Sequence, residues 1–143
     1  MDEYYMKEAI REAMKAKKIG EIPVGAVIVK DNKIIGRGYN KKEKKQNSLM
    51  HAEIVAINMA CNKIKSWRLN ECKMYVTLEP CNMCMGAIIE SRIENLIYGV
   101  ENSKSHDINL LLITKNKLLI SKGIHSVENT KILDEFFKNL RVK

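Results

Sequence analysis

Two short stretches carry side chains that together can hold and use a metal ion: His51-Ala52-Glu53 and Pro80-Cys81-Asn82-Met83-Cys84. One imidazole and two thiolates supply three protein ligands for a tetrahedral zinc. Three ligands leave the fourth corner for water, the layout of a catalytic zinc rather than a structural one. Zinc lowers the pKa of a bound water to about 7 and so makes a hydroxide nucleophile at neutral pH. Glu53, two residues from His51, is the carboxylate such a site needs to take the water's proton, hand it to a ring nitrogen and then protonate a leaving amine. Other readings of the same residues stay open. A C-x-x-C pair alone also fits a thioredoxin-like redox dithiol, although that motif usually follows the first strand near the N-terminus. A structural zinc, or a degenerate site, uses the same ligand types.

These residues need elements that bring them together. Apolar Ile54, Val55, Ile57, Met59 and Ala60 recur at helical spacing and predict a helix over 52–63. A strand is predicted over 72–78, and Pro80 opens a new segment that reads as a helix over 82–91. C-x-x-C at a strand-to-helix corner lets both sulfurs turn to one point, and the helix N-terminus favours thiolate over thiol. His51 likewise stands at a predicted helix start. The separation of 30 positions between His51 and Cys81 is enough for a helix, a loop and a strand, so the two helix starts are expected to face each other across the end of a sheet. Residues i and i+2 do not share a helix face. Only the first turn can bring His51 and Glu53 to one site, so that turn is expected to form the wall of the active site.

The remaining chain supplies the frame. Tyr5, Met6, Ala9, Ile10, Ala13 and Met14 predict an amphipathic helix over 3–18, ended by Gly20. A β-branched run over 24–29, the turn signal Asp31-Asn32 and a second strand over 33–39 predict a hairpin. Residues 41–48 read as a polar loop, a solvated connector rather than a binding loop. A short strand is expected over 96–100, a short helix followed by a strand within 105–120, and a C-terminal amphipathic helix over 127–140 carrying Ile132, Leu133, Phe136, Phe137 and Leu140. A hairpin followed by alternating helices and strands predicts an α/β sheet covered by helices on both faces.

Length and composition bound the answer. At 143 residues the chain fits one domain, and a chain of this size buries about two-thirds of its unfolded surface, so it needs no metal or disulfide merely to fold. The longest apolar run, 110–113, is far short of the roughly 20 residues of a membrane span. The acidic start Met1-Asp2-Glu3 is unlike a signal peptide. The expectation is a cytoplasmic protein with no membrane partner. Cys61 and Cys72 lack ligand spacing and read as small hydrophobes. A formal net charge of +8 favours a polyanionic partner such as nucleic acid. The basic residues are spread over 15–18, 41–45 and 138–143, so charge alone does not fix that partner.

Read together, the stretches give H-x-E…P-C-x-x-C, the signature of zinc-dependent base deaminases. Around it lie Pro23-Val24-Gly25-Ala26-Val27, Gly38-Tyr39-Asn40, His51-Ala52-Glu53-Ile54, Tyr75-Val76-Thr77-Leu78-Glu79-Pro80-Cys81-Asn82-Met83-Cys84, Gly86-Ala87-Ile88, Ser91-Arg92-Ile93 and Phe136-Phe137-Lys138. On these segments the chain resembles the bacterial tRNA adenosine deaminases of the cytidine deaminase-like superfamily, over 4–100 and again from about 130. The resemblance implies a three-layer α/β/α sandwich with a mixed five-stranded sheet, and one zinc-dependent deaminase domain over 1–143. It implies one Zn2+ per subunit on His51, Cys81 and Cys84, with Glu53 as proton shuttle. Asn40 would hydrogen-bond the target nucleoside, where the bland reading is a turn residue after a strand. The backbone N–H of Ala52 would help position the base, and Leu78, Pro23 and Val24 would wall its pocket. Phe137 and the basic tail would touch RNA, the alternative being core packing and a solvated end. The implied reaction converts adenosine to inosine at the wobble position of a tRNA anticodon stem-loop, by a homodimer.

The chain also departs from that family. Asn102 stands where an acidic residue is usual, and 103–109 has no glycine where a Gly/Ala-rich stretch is usual. The segment to Gly123 is short. This region borders the substrate in the family. His106 is not expected to be a further ligand, because the set is already complete. Two other functions are weighed against the first: a deaminase of a free nucleobase or nucleoside of guanine, cytosine or adenosine type, and a zinc-bearing RNA-binding subunit without activity. The retained Glu53 argues against the latter.

Overall fold

The computed structural model describes residues 1–142; Lys143, the last residue of the basic tail, lies outside them. Helix α1 (Asp2–Lys18) buries Tyr5, Met6, Ala9, Ile10, Ala13 and Ala16 along one stripe. Asp2 and Glu3 in its first turn and Lys15, Lys17 and Lys18 in its last complement the helix dipole. Gly20, at φ 79°, turns the chain away. Strands β1 (Gly25–Lys30) and β2 (Lys33–Tyr39) form the expected hairpin. Asp31 and Asn32 both take positive φ, 51° and 61°, the type I′ geometry whose twist matches a two-residue hairpin.

Then follow the one-turn helix α2 (Lys42–Lys45), α3 (Ala52–Ile64), β3 (Lys73–Leu78), α4 (Asn82–Glu90), β4 (Asn95–Val100), α5 (His106–Asn116), β5 (Leu119–Lys122) and α6 (Ser126–Val142). The sheet runs β2-β1-β3-β4-β5, antiparallel through β2, β1 and β3 and parallel through β3, β4 and β5. Successive strand residues face opposite layers. Ala26, Ile28, Met74, Val76, Leu96 and Tyr98 pack on the layer of α3, α4 and α5. Val27, Val29, Tyr75 and Ile97 pack on α1, with Ile132 of α6 beside them. A sheet buried on both faces explains why 24–29 reads as an unbroken apolar run. The mixed five-stranded α/β/α sandwich of the sequence reading is the observed architecture.

One segment differs. The stretch read as a polar loop holds α2, and it is tied down from a distance. The buried carboxylate of Glu21 accepts the N–H groups of Glu43 (3.2 Å) and Lys44 (2.7 Å), donors that a helix start leaves without internal partners. The capping group lies more than 20 residues upstream, so no local capping pattern announces this turn.

Helix α3 rests directly on β2 through small residues. A Cβ at Gly38 would press on the Ala52 carbonyl oxygen and come within 2.7 Å of the Ala56 nitrogen; one at Gly36 would meet the Ala56 carbonyl and Ala60. Backbone cannot yield as a flexible side chain can. Gly38→Ala is expected to cost about 3 kcal/mol, the upper end of overpacking penalties. Urea unfolding monitored by circular dichroism checks this, and a midpoint equal to that of the parent chain would refute the close seating of α3.

Candidate active site

At one end of the sheet, the segments that flank four of the five strands meet at a single cavity. The chain before β1 brings Ile22 and Val24, the end of β2 brings Asn40, and the starts of α2 and α3 bring Lys42, His51, Ala52 and Glu53. The end of β3 brings Leu78, Glu79 and Cys81, and the loop after β4 brings Asn102. Parallel strands place binding crevices at their carboxyl ends for this reason.

His51 caps α3 with extended backbone (φ −79°, ψ 156°), and Cys81 caps α4 in the same way (φ −66°, ψ 170°). The two helix starts therefore face each other, as their spacing predicts. His51 Nδ1 lies 3.6 Å from Cys81 Sγ and 3.6 Å from Cys84 Sγ. A tetrahedral zinc about 2.3 Å from sulfur and about 2.05 Å from nitrogen sets those atoms about 3.6 Å apart. Among the described residues this trio is the group of metal-ligating side chains close enough to share an ion. The donor set and its spacing fit zinc.

The three donor side chains shift one another's protonation strongly. The Cys84 thiol, donating to Cys81, and then the His51 ring pull the Cys81 thiol down to about 4, so Cys81 is a thiolate. Holding that proton against Cys81 and being buried raise Cys84. The bond to Cys81 raises His51. Burial pushes the Glu53 carboxyl up to about 7, near the pH at which a proton shuttle is most effective. Glu53 is 3% exposed and lines the same cavity.

The sequence-derived wall residues divide. Val24, Asn40, Ala52 and Leu78 line the cavity. Pro23 is not among the lining residues, which corrects its placement on the pocket wall. Val24 donates its N–H to the Ile22 carbonyl (2.9 Å), closing a three-residue turn about Pro23 that leaves Pro23 buried and puts Ile22 and Val24 on the cavity. The Asn40 side-chain carbonyl accepts the Lys42 N–H (3.1 Å) as a turn residue does, and the residue lines the cavity. Phe137 lies outside the cavity, in an adjoining groove with Lys104 and Leu133. Ile22, Leu78 and Asn102 border both spaces. The cavity measures about 200 Å³. Sites for drug-sized ligands span about 300–1,000 Å³, so this one admits a small ring system and leaves the rest of a larger substrate in the groove.

Ile22, Lys42, Glu79 and Asn102 were missed as lining residues, although Glu79 stands inside the quoted Leu78-Glu79-Pro80-Cys81 run. His106 joins no ligand set: its Nδ1 donates to Glu79 (2.9 Å). That bond raises the His106 pKa above its ordinary value. A group whose folded pKa is raised adds stability that is complete below its unfolded pKa, about 6.5, and is lost as pH rises through the folded value. The thermal midpoint of His106→Leu should therefore fall furthest below the parent at pH 6, with the gap closing above neutrality. A gap that widens with pH would contradict the ion pair.

Comparison with known proteins supplies the context. A family model described as MafB19-like deaminase matches residues 1–141. The chain is 42% identical to the tRNA-specific adenosine deaminase of Bacillus subtilis, over 99% of this chain and 92% of that protein. It superposes with a TM-score of 0.85 and 34% identity on a solved chain from work on A-to-I editing by tRNA:A34 deaminases at the wobble position of transfer RNA, covering 91% of this chain and 99% of that one. The guanine deaminase of the same bacillus is 36% identical, with a TM-score of 0.67 over 74% of this chain and 68% of the other.

Proposed function

The chain belongs to the MafB19-like deaminases, with a tRNA-specific adenosine deaminase among its near full-length relatives, and from that premise we propose that it converts adenosine to inosine at the wobble position of a tRNA anticodon. One domain over residues 1–143 carries the activity. The observation that bears most weight is the convergence of His51 Nδ1 with both sulfurs at 3.6 Å, beside a buried Glu53.

His51, Cys81 and Cys84 would hold one Zn2+ per subunit. Zinc so held supplies Lewis acidity that makes water nucleophilic near neutral pH. Glu53 takes one proton of the water that attacks C6 and delivers it to N1 of the ring, then takes the second from the new C6 hydroxyl and passes it to the departing amine, so that water and adenosine become ammonia and inosine. Burial of Glu53 keeps that proton from bulk solvent. Val24 and Leu78 flank the base, Asn40 offers a side-chain amide to the nucleoside, and the N–H of Ala52 orients the ring.

The small cavity and its groove suit a base turned out of a longer strand, as chemistry on a base in nucleic acid requires. Lys42 at the cavity and Lys104 and Phe137 in the groove offer charge and a ring face to the flanking RNA. The protein acts in the cytoplasm, where its thiols stay reduced and tRNA resides. It works as a homodimer: Met59 of α3, Met83 of α4 and Ile108 and Leu111 of α5 leave apolar side chains exposed on one helical layer. Among the described residues no helix is long and apolar enough to cross a membrane.

The test is incubation of the purified, zinc-loaded protein with an anticodon stem-loop carrying wobble adenosine, in parallel with free adenine, guanine, cytosine and their nucleosides. Inosine in the RNA is expected. Turnover restricted to a free compound would replace the tRNA reading with that of a small-molecule deaminase, for which the likeness to a guanine deaminase is the precedent.

A further inference from the structure

The side chain of Glu79 is wholly buried, two residues before Cys81. A carboxylate out of water is tolerated only when donors satisfy it. Three do so here. The N–H of Asn102 donates to Oε1 (3.1 Å), His106 Nδ1 reaches Oε1 (2.9 Å) and Oε2 (3.1 Å), and Asn109 Nδ2 donates to Oε2 (3.0 Å). The same Asn109 amide donates to the Pro80 carbonyl (2.8 Å), which the Ser105 hydroxyl also reaches (3.3 Å). Ser105 is the N-cap of α5, and His106 and Asn109, three positions apart, share one face of its first turn. That face grips two consecutive residues that lead straight into the Cys81 corner, and through Glu79 it holds the peptide of Asn102, which lines both cavity and groove.

Asn109 itself lines neither space and is fully buried. Among the described residues its side-chain carbonyl oxygen has no partner. A leucine would fill the volume without an orphaned acceptor, so packing alone does not account for an amide here; its two donated bonds do.

We propose that Asn109 and His106 are positioning residues for the deamination, fixing the Glu79-Pro80 segment and thereby the place where Asn102 meets the substrate relative to the Cys81 corner. The inference rests on the cavity being the site of deamination. Because the residues act on the wall and not on the proton path, their loss should weaken substrate binding and spare the chemical step.

The experiment takes zinc-loaded parent, Asn109→Leu, His106→Leu and His106→Gln. Kinetics are measured on whichever substrate the parent turns over, and amide hydrogen exchange is followed at Asn102 and along α5. For Asn109→Leu the expected result is a rise in KM of about tenfold, on the scale of a lost hydrogen bond to a charged group, with kcat within about twofold. The Asn102 amide should exchange faster while the helical amides of α5 stay protected. His106→Leu should move the same quantities less, and His106→Gln, which keeps a donor, should restore them. Unchanged KM and unchanged Asn102 exchange in both leucine variants would overturn the proposal. So would a fall in kcat that merely tracks melting of α5. Should Asn109→Leu fail to fold, the His106 pair decides. Hydrogen exchange needs no turnover, so a parent inactive on the stem-loop refutes the substrate assignment without deciding the fate of the clamp.

Discussion

Glu53→Gln should retain its zinc and lose at least about 10³-fold in kcat, within the 10²–10⁴-fold that a positioned proton-transfer group contributes. Glutamine matches glutamate in shape, so a side chain that is 3% exposed is replaced without a cavity or a clash. What disappears is a group able to accept and then release a proton two times in one turnover. Every proton the reaction moves passes between water, ring nitrogen and departing amine; of the two buried carboxylates that line the cavity, Glu79 is held by Asn102, His106 and Asn109, which leaves Glu53 to carry them. Metal content by plasma mass spectrometry and single-turnover inosine formation give the two readouts. Normal turnover at full zinc would remove Glu53 from the proton path, whereas loss of zinc would make it a structural support of the metal centre.

Cys84→Ala should leave a folded chain that binds less than about one-tenth of an ion and shows no turnover above background. Changes to groups that merely orient a ligand cost about 10–100-fold in metal affinity, and losing a ligand sulfur should exceed that. The fold should survive, because the apolar core extends through both helical layers and does not depend on the ion. Saturating zinc at about 1,000 times its dissociation constant stabilises the parent by about 4 kcal/mol, so a chelator should lower the thermal midpoint of the parent and not that of Cys84→Ala. Cys72→Ala, a buried thiol outside the cluster, is the control that should keep both zinc and activity. An equal response of the two variants would mean that Cys84 packs rather than ligates.

The metal-ligating trio was legible because its geometry is local. A C-x-x-C at a strand-to-helix corner and a His at a helix start each fix their own direction, and the sheet does the rest. The strands were legible for a similar reason: Asp31-Asn32 sets the hairpin without help from distant residues. The cavity wall was less so. Ile22 and Pro23 differ by one position, and which of them faces the substrate depends on a single bond across the turn. The turn that begins at Lys42 is tied to Glu21 and the peptide of Asn102 to Glu79, carboxylates that act across more than 20 residues. The stretch 103–109, unusual in lacking glycine, gave no sign that its polar residues would close on the segment before Cys81.

Gly36 and Gly38 let the backbone of α3 lie against β2, so at these two positions no strand side chain stands between the helix and the strand behind it. That arrangement bears on how the protein can diverge. Substitutions at these two positions cannot reshape the contact, because glycine has no side chain to trim and any added atom meets main chain. Tolerance for a different base must come from the front, where Ile22, Lys42, Leu78 and Asn102 belong to chain ends and loops that can each change alone. The reacting wall is inherited as a block; the recognising wall is open to one-residue steps.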